Sequence, residues 1–200
     1  MDIAASPTSL AEPRRRLLDA MSHTVARKGY AGATIGDLAA HARVSRRTFY
    51  EHFASKDECL IALYEAASDQ ALAVLQAAID PERDWHAQVE QAMSAYLSTL
   101  ACNPTLLRTL FIAILGLGPE GLAARRRANR RLAEFIVAVV SGPAARPRRA
   151  KPLPASFAMA IVGAINELIL QAIEDDRVAE LPALTGVAAQ IARALIDGAA

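Results

Sequence analysis

Apolar residues recur along this chain at spacings of three and four, the repeat of one helical face. Leu17, Leu18, Met21 and Val25 open the pattern and predict a first helix from Pro13 to Lys28, after a flexible tail over residues 1–12. Arg27 and Lys28 fall in its last turn, where cations suit the helix dipole, and Gly29 supplies the stop. Thr34 is placed to cap a second helix, with Asp37 as its capping-box partner and Ile35, Leu38, Ala39 and Ala42 as the apolar stripe. That helix ends near Arg43. Ser45 caps a third, short helix reaching about Phe53, and Ser55 caps a fourth, with Asp57 and Glu58 in its first turn.

Longer segments follow. The pattern and its breakers predict helices over about Lys56–Ile79, Trp85–Cys102, Pro104–Leu115, Glu120–Val140, Ala155–Asp175 and Leu181–Asp197. The stretch "SGPAARPRRAKPLP" before the eighth helix holds four prolines and no periodicity, so it reads as a loop. No strand pattern and no internal repeat occur. The expectation is an all-α protein of about nine helices: a three-helix domain over 13–55 and a larger helical domain over 56–200.

Composition agrees and narrows the class. The 200 residues are 53% apolar and 22% charged, enough for a packed core and unlike a disordered chain. The two cysteines, Cys59 and Cys102, have no metal-type spacing, so no metal site and a reducing cytoplasm are expected. The N-terminus lacks the basic-then-apolar order of a signal peptide. The longest apolar stretches, "LFIAILGLG" and "ASFAMAIVGAI", read as too short to span a bilayer, so no membrane partner is expected. Net charge is only +1, so any affinity for nucleic acid must be local. Between Pro13 and Lys56 nine Lys and Arg stand against Asp19, Asp37 and Glu51.

The second and third helices are joined only by Arg43 and Val44. So short a link forces a steep crossing, as in a helix-turn-helix. Leu38, Ala39, Val44 and Phe49 fall where that crossing needs apolar contact, and Phe53 extends the edge by a turn. Arg46, Arg47 and Thr48 are left in the first turn of helix three, where such motifs meet base edges in the major groove. Arginine can bridge O6 and N7 of guanine. Tyr50, His52 and Lys56 lie further along, within reach of phosphates, and the helix starts near Thr34 and Ser55 offer free amides. Spacing alone leaves two readings open: a DNA-reading surface, or an ordinary solvated helix face.

The stretch "GYAGATIGDLAAHARVSRRTFYEHFASKDECLIALYE" resembles the N-terminal DNA-binding region of the TetR (tetracycline repressor) family of bacterial transcriptional regulators. Gly29-Tyr30, Thr34-Ile35, Leu38-Ala39, Val44-Ser45, Thr48-Phe49-Tyr50, His52-Phe53 and Ser55-Lys56 carry the resemblance, which covers about Leu17 to Glu65. It implies a ligand-responsive regulator, most simply a repressor, that grips a palindromic double-stranded operator as a homodimer and is released by a small-molecule effector. A DNA-binding protein of the same fold without a ligand switch is the alternative. The resemblance implies DNA contacts from Thr34, Ser45, Arg46, Arg47, Thr48, Tyr50, His52 and Lys56. Two positions depart from the family pattern. Arg43 stands where members usually have glycine, and Gly36 where relatives often carry a longer polar side chain.

The rest of the chain would then bind ligand and dimerise. Helix eight is apolar nearly all round (Phe157, Met159, Ile161, Val162, Ile165, Leu168, Ile169, Ile173), so it needs cover on every side. Subunit contact through segments 155–175 and 181–197 is the simplest cover. Trp85, Met93, Tyr96, Phe111 and Asn166 are candidate pocket residues for an apolar effector, with Asn166 bonding across the dimer as the plainer alternative. The basic run "ARRRANRR" (124–131) reads as a solvated face, or else as a site for an anionic ligand or a domain-interface charge pair with helix one or four. No cofactor is implied. No nucleophile elbow, phosphate loop or zinc-protease motif occurs, and the four histidines are scattered, so an enzyme is not expected.

Overall fold

The computed structural model describes residues 7–80, 82–141 and 152–199. Among them there is no strand. The helices in chain order are α1 (Pro7–Gly32), α2 (Ile35–Ala42), α3 (Arg46–His52), α4 (Lys56–Ala78), α5 (Trp85–Ala101), α6 (Pro104–Arg108), α7 (Gly118–Ser141), α8 (Ala155–Glu174) and α9 (Thr185–Gly198). The tail expected over 1–12 is helical from Pro7, while residues 1–6 lie outside the described residues. So does most of the proline loop, with Arg146, Arg148, Arg149 and Lys151. Contacts divide the chain into two compact units, one ending at Ala66 and including Arg108–Ala124, the other holding Ala67–Leu107 and the residues from Arg125 on. The division therefore falls inside α4 rather than at the expected break at 55–56.

The first unit is built on the packing of α1, α2 and α3 against one another. Leu17, Met21, Leu38, Phe49 and Leu60 are fully buried, each worth about 1.5–3 kcal/mol over exposure. Helix α1 leaves helical geometry at Gly29 (φ 69°, ψ 166°), a conformation open mainly to glycine, before a last turn to Gly32. Thr34 and Asp37 form a reciprocal capping box at the start of α2. At its end Arg43 is left-handed (φ 54°, ψ 47°). Its N–H bonds the Ala40 carbonyl at 3.2 Å, and the next N–H, from Val44, bonds that of Ala39 at 2.9 Å. This is the paired arrangement that closes a helix on a left-handed residue. It turns the chain within two residues, and Ser45 then accepts from the Thr48 N–H to start α3.

Residues 104–117, expected as one helix, change form twice. Five α-helical residues give way to a π-helical turn at Thr109–Ala113, then to a 3₁₀ turn at Leu115–Leu117. The π turn packs on α1. A Cβ on Gly121 would fall 1.9 Å from the Ile114 carbonyl oxygen, so only glycine lets α7 come this close.

In the second unit α5, α8, α9 and a 3₁₀ segment (Val178–Leu184) pack together. Helix α8 buries Ala158, Ile161, Val162, Ile165, Ile169, Ala172 and Ile173. The expectation of cover on every side is thus met on one face only, and Met159, Ala160 and Gly163 remain exposed. By length and composition alone, Ala155–Glu174 and the stretch Pro104–Ser141 are apolar enough to cross a bilayer, a correction to the sequence expectation. The buried face of α8 lies against α9 and the 3₁₀ segment, as in the core of a globular protein. The last helix begins at Thr185 rather than Leu181, since Val178–Leu184, with Pro182 inside, is wound as the 3₁₀ segment.

Candidate nucleic-acid interface

The outward surface of α3 depends on how the helix is fastened. Phe49 is completely buried and Phe53 nearly so, with ring centroids 5.8 Å apart, and Arg14 of α1 lies over the Phe53 ring at 5.4 Å. With that edge fixed, Arg46, Arg47 and Tyr50 are exposed, and Thr48 and His52 half-buried. Arg47 is held along the helix by Glu51, Nε to Oε1 at 3.2 Å, so its terminal nitrogens remain for an incoming acceptor. Tyr50 is 58% exposed and stands edge-on to Phe49. The hydroxyls of Ser45 and Thr48 lie 3.0 Å apart.

Arg46 behaves differently from Arg47. A Cβ on Gly36 would sit 2.8 Å from Arg46 Nη2. The guanidinium thus crosses from α3 to the first turn of α2 and fills the space that a side chain at position 36 would use.

Two of the expected contacts are already engaged. Lys56 donates from Nζ to the carbonyls of Tyr30 at 2.8 Å and Ala33 at 2.9 Å, and lies over the Tyr30 ring. It thereby fastens the start of α4 to the end of α1. Beside it the Tyr30 hydroxyl donates to Asp57, and burial followed by that carboxylate pushes the phenol far above its ordinary pKa. Thr34 Oγ1 donates to Asp37 Oδ2 at 2.8 Å and accepts from the Asp37 N–H. Lys28 reaches the same carboxylate at 2.7 Å. Lys28 first, then the Thr34 side chain and backbone, hold the Asp37 carboxyl down to about 2. A phosphate arriving at the start of α2 meets this acid as well as the helix amides.

The second unit contains a cavity of about 80 Å³. Trp85, Met93 and Tyr96 of α5 and Asn166 of α8 line it together, whereas Phe111 does not and lies in the π-helical turn of the first unit. Leu75 near the end of α4, Ile79 just beyond it, Phe135 and Ile136 of α7 and Ile196 of α9 complete much of the wall. Asn166 donates from Nδ2 to Oδ1 of Asn129 on α7 at 3.2 Å, a partner within the same chain rather than across a dimer. Arg131, in the same basic run, pairs with Asp69 of α4 at 3.0 Å. Among the described residues no group of three or more His, Cys, Asp or Glu could hold a metal ion.

Residues 17–63 match the sequence profile of the bacterial regulatory proteins of the tetR family. The similarity to that family thus rests on this N-terminal segment. The chain is 32% identical over 78 residues to the uncharacterized HTH-type transcriptional regulator YxbF of Bacillus subtilis, covering 39% of this chain and 20% of that protein. It is 28% identical over 130 residues to the HTH-type transcriptional repressor SCO4008 of Streptomyces coelicolor, covering 64% of each. The chain thus spans less than two thirds of both curated relatives. Its fold is similar to that of the regulator FadR from Bacillus subtilis in complex with stearoyl-CoA (TM-score 0.72, 17% identity, 92% of this chain and 98% of that one). It is also similar to the multidrug binding protein EbrR complexed with malachite green (TM-score 0.67, 22% identity, 89% and 96%).

Within this fold, sequence reasoning missed several contributors. Leu75 and Ile79 sit one turn apart beside the "DPERDW" break, a spacing that puts both on one face. Val89 and Ala92 continue the Trp85–Met93–Tyr96 face at helical spacing, a signal that was there to find. The partner Asn129 of Asn166 had no local signal, since it depends on how α7 packs, whereas the Arg131–Asp69 pair is an instance of the charge pairing with helix four that the basic run allowed.

Proposed function

We propose that this protein is a ligand-responsive transcriptional repressor that binds a palindromic operator as a homodimer. The observation that carries the DNA half is the exposed triplet of Arg46, Arg47 and Tyr50 on a helix whose opposite edge is buried through Phe49 and Phe53. A helix presented in this way fits the major groove. Arg46 and Arg47 read bases, Thr48 and Ser45 meet bases or adjoining backbone, and Tyr50 and His52 bond phosphates. Selection of bound sequences from random DNA, followed by a gel shift with Arg47→Ala, tests this. Full affinity of the variant for the selected site overturns it.

The homodimer rests on the uncovered face of α8. Met159 is 39% exposed and the space around Gly163 is open, so a second helix can come close. Val187 on α9 is 48% exposed. A monomer in sedimentation at micromolar concentration overturns this part. Repression by a switch rests on the cavity. A ligand there displaces Leu75 of the helix that Lys56 fastens to the carbonyls of Tyr30 and Ala33, and Ile79 just beyond that helix's end. It shifts DNA affinity to the extent that it binds one conformation better than the other. The related folds seen with stearoyl-CoA and malachite green support an apolar body for the effector.

A further inference from the structure

We propose that the cavity selects an uncharged effector of about one ring or a short chain, carrying a single neutral hydrogen-bonding group that Asn166 meets. This rests on the reading of the cavity as the effector site and names the class of molecule it takes. Among the described residues that line it, none carries a charge. A cation there finds no carboxylate, and an anion no Lys, Arg or His. An ion without a counter-charge loses its hydration and gains nothing in return. The basic run of α7 does not alter this, since its Arg131 is paired with Asp69 and no arginine of the run is in the wall.

The polar handle is an amide. Asn166 gives Nδ2–H to Asn129, which leaves its own Oδ1 as acceptor and one further N–H as donor. Either can serve a hydroxyl or carbonyl group, and neither balances a full charge. Size follows from the volume. At about 80 Å³ the space is roughly half of the ~150 Å³ apolar cavity that holds a benzene-sized guest. A one-ring molecule therefore needs a modest widening, for which the flexible Met93 side chain in the wall is suited.

The chain has a single tryptophan, and Trp85 lines the cavity, so its emission reports occupancy. The test titrates the full-length protein at pH 7 with toluene, benzyl alcohol, benzylammonium and benzoate, which share a ring and differ in charge. Toluene and benzyl alcohol are expected to shift Trp85 emission with Kd values at least ~30-fold below those of the two ions. Asn166→Leu is expected to erase the preference for benzyl alcohol over toluene. Ala192→Phe, which fills the space, is expected to abolish the response while circular dichroism is unchanged. Should that variant not fold, the charge series on the parent protein still decides. Equal or tighter binding of either ion overturns the proposal, and so does the absence of any response to both neutral probes up to their solubility. A gel shift run in parallel separates the two levels. Neutral probes that bind without releasing operator sink the switch and leave the ligand class standing.

Discussion

The guanidinium of Arg46 occupies the place of a side chain at Gly36, with Nη2 2.8 Å from where a Cβ would be. The missing side chain at position 36 and the reach of Arg46 across to α2 are thus one feature. Gly36→Ala removes a flexible residue from a helix, which adds about 0.5–1 kcal/mol of stability, and only the far end of a mobile side chain has to yield. Displacing Arg46 is expected to alter the base preference at the position it reads. Thermal melting and binding-site selection on the variant check both halves, which are expected to move in opposite directions: a higher Tm with weaker or altered operator binding.

Arg43 holds a left-handed conformation (φ 54°) that costs a non-glycine residue about 1–2 kcal/mol. Arg43→Gly is expected to stabilise the protein by about 1 kcal/mol in urea unfolding. If the side chain also meets a phosphate, the slope of log affinity against log salt falls by about 1 in the same variant. An unchanged slope assigns Arg43 to the turn alone.

Lys56 and Arg47 separate by the same pair of measurements. Lys56→Met leaves the Tyr30 and Ala33 carbonyls without their donor and is expected to cost about 1–3 kcal/mol of stability, with little change in salt slope. Arg47→Ala, at a side chain 90% exposed, is expected to leave stability within about 0.5 kcal/mol and to lower the slope by about 1. Matching behaviour of the two variants contradicts the assignment of Lys56 as a fastener.

The thiols and Asp37 give opposite pH signatures. Burial pushes the Cys59 thiol up to about 12, with Arg14 opposing and Glu58 adding to it. Because the folded state favours the protonated thiol, its contribution is full below the ordinary thiol pKa and declines as pH rises from about 9 toward 12. At pH 8.5 iodoacetamide is expected to modify the exposed Cys102 and to spare Cys59 until the protein unfolds. Asp37 behaves in reverse. Its lowered pKa gives a contribution present above about pH 4 and lost as pH falls toward 2. Asp37→Asn is expected to flatten that acid limb of the stability curve in guanidine titrations.

The helix-turn-helix was legible because its information is local. Thr34, Asp37, Ser45 and Ser55 announce helix starts by hydrogen bonds that span three residues, and Phe49 and Phe53 mark a buried edge by spacing. The cavity was half legible. Trp85, Met93, Tyr96 and Asn166 share two helices whose faces can be read from periodicity. Phe111 follows the same apolar pattern but sits in a π-helical turn of the other unit, and the extra residue that such a turn inserts is invisible to a search for α periodicity. The engagement of Lys56 was hidden because its partners are backbone carbonyls at Tyr30 and Ala33, which no residue type reveals. Asn129 was hidden because it meets its partner across more than thirty residues of chain.

A wall without charge imposes on visitors the same rule as the hydrocarbon interior of a bilayer, which also excludes bare ions and admits small neutral molecules. The molecules able to settle beside Trp85 are therefore those that enter a cell without a transporter. A weak acid or base is sensed only through its uncharged fraction. For such a compound the dose that the protein registers is set by the surrounding pH as much as by total concentration, although the wall itself has nothing to titrate.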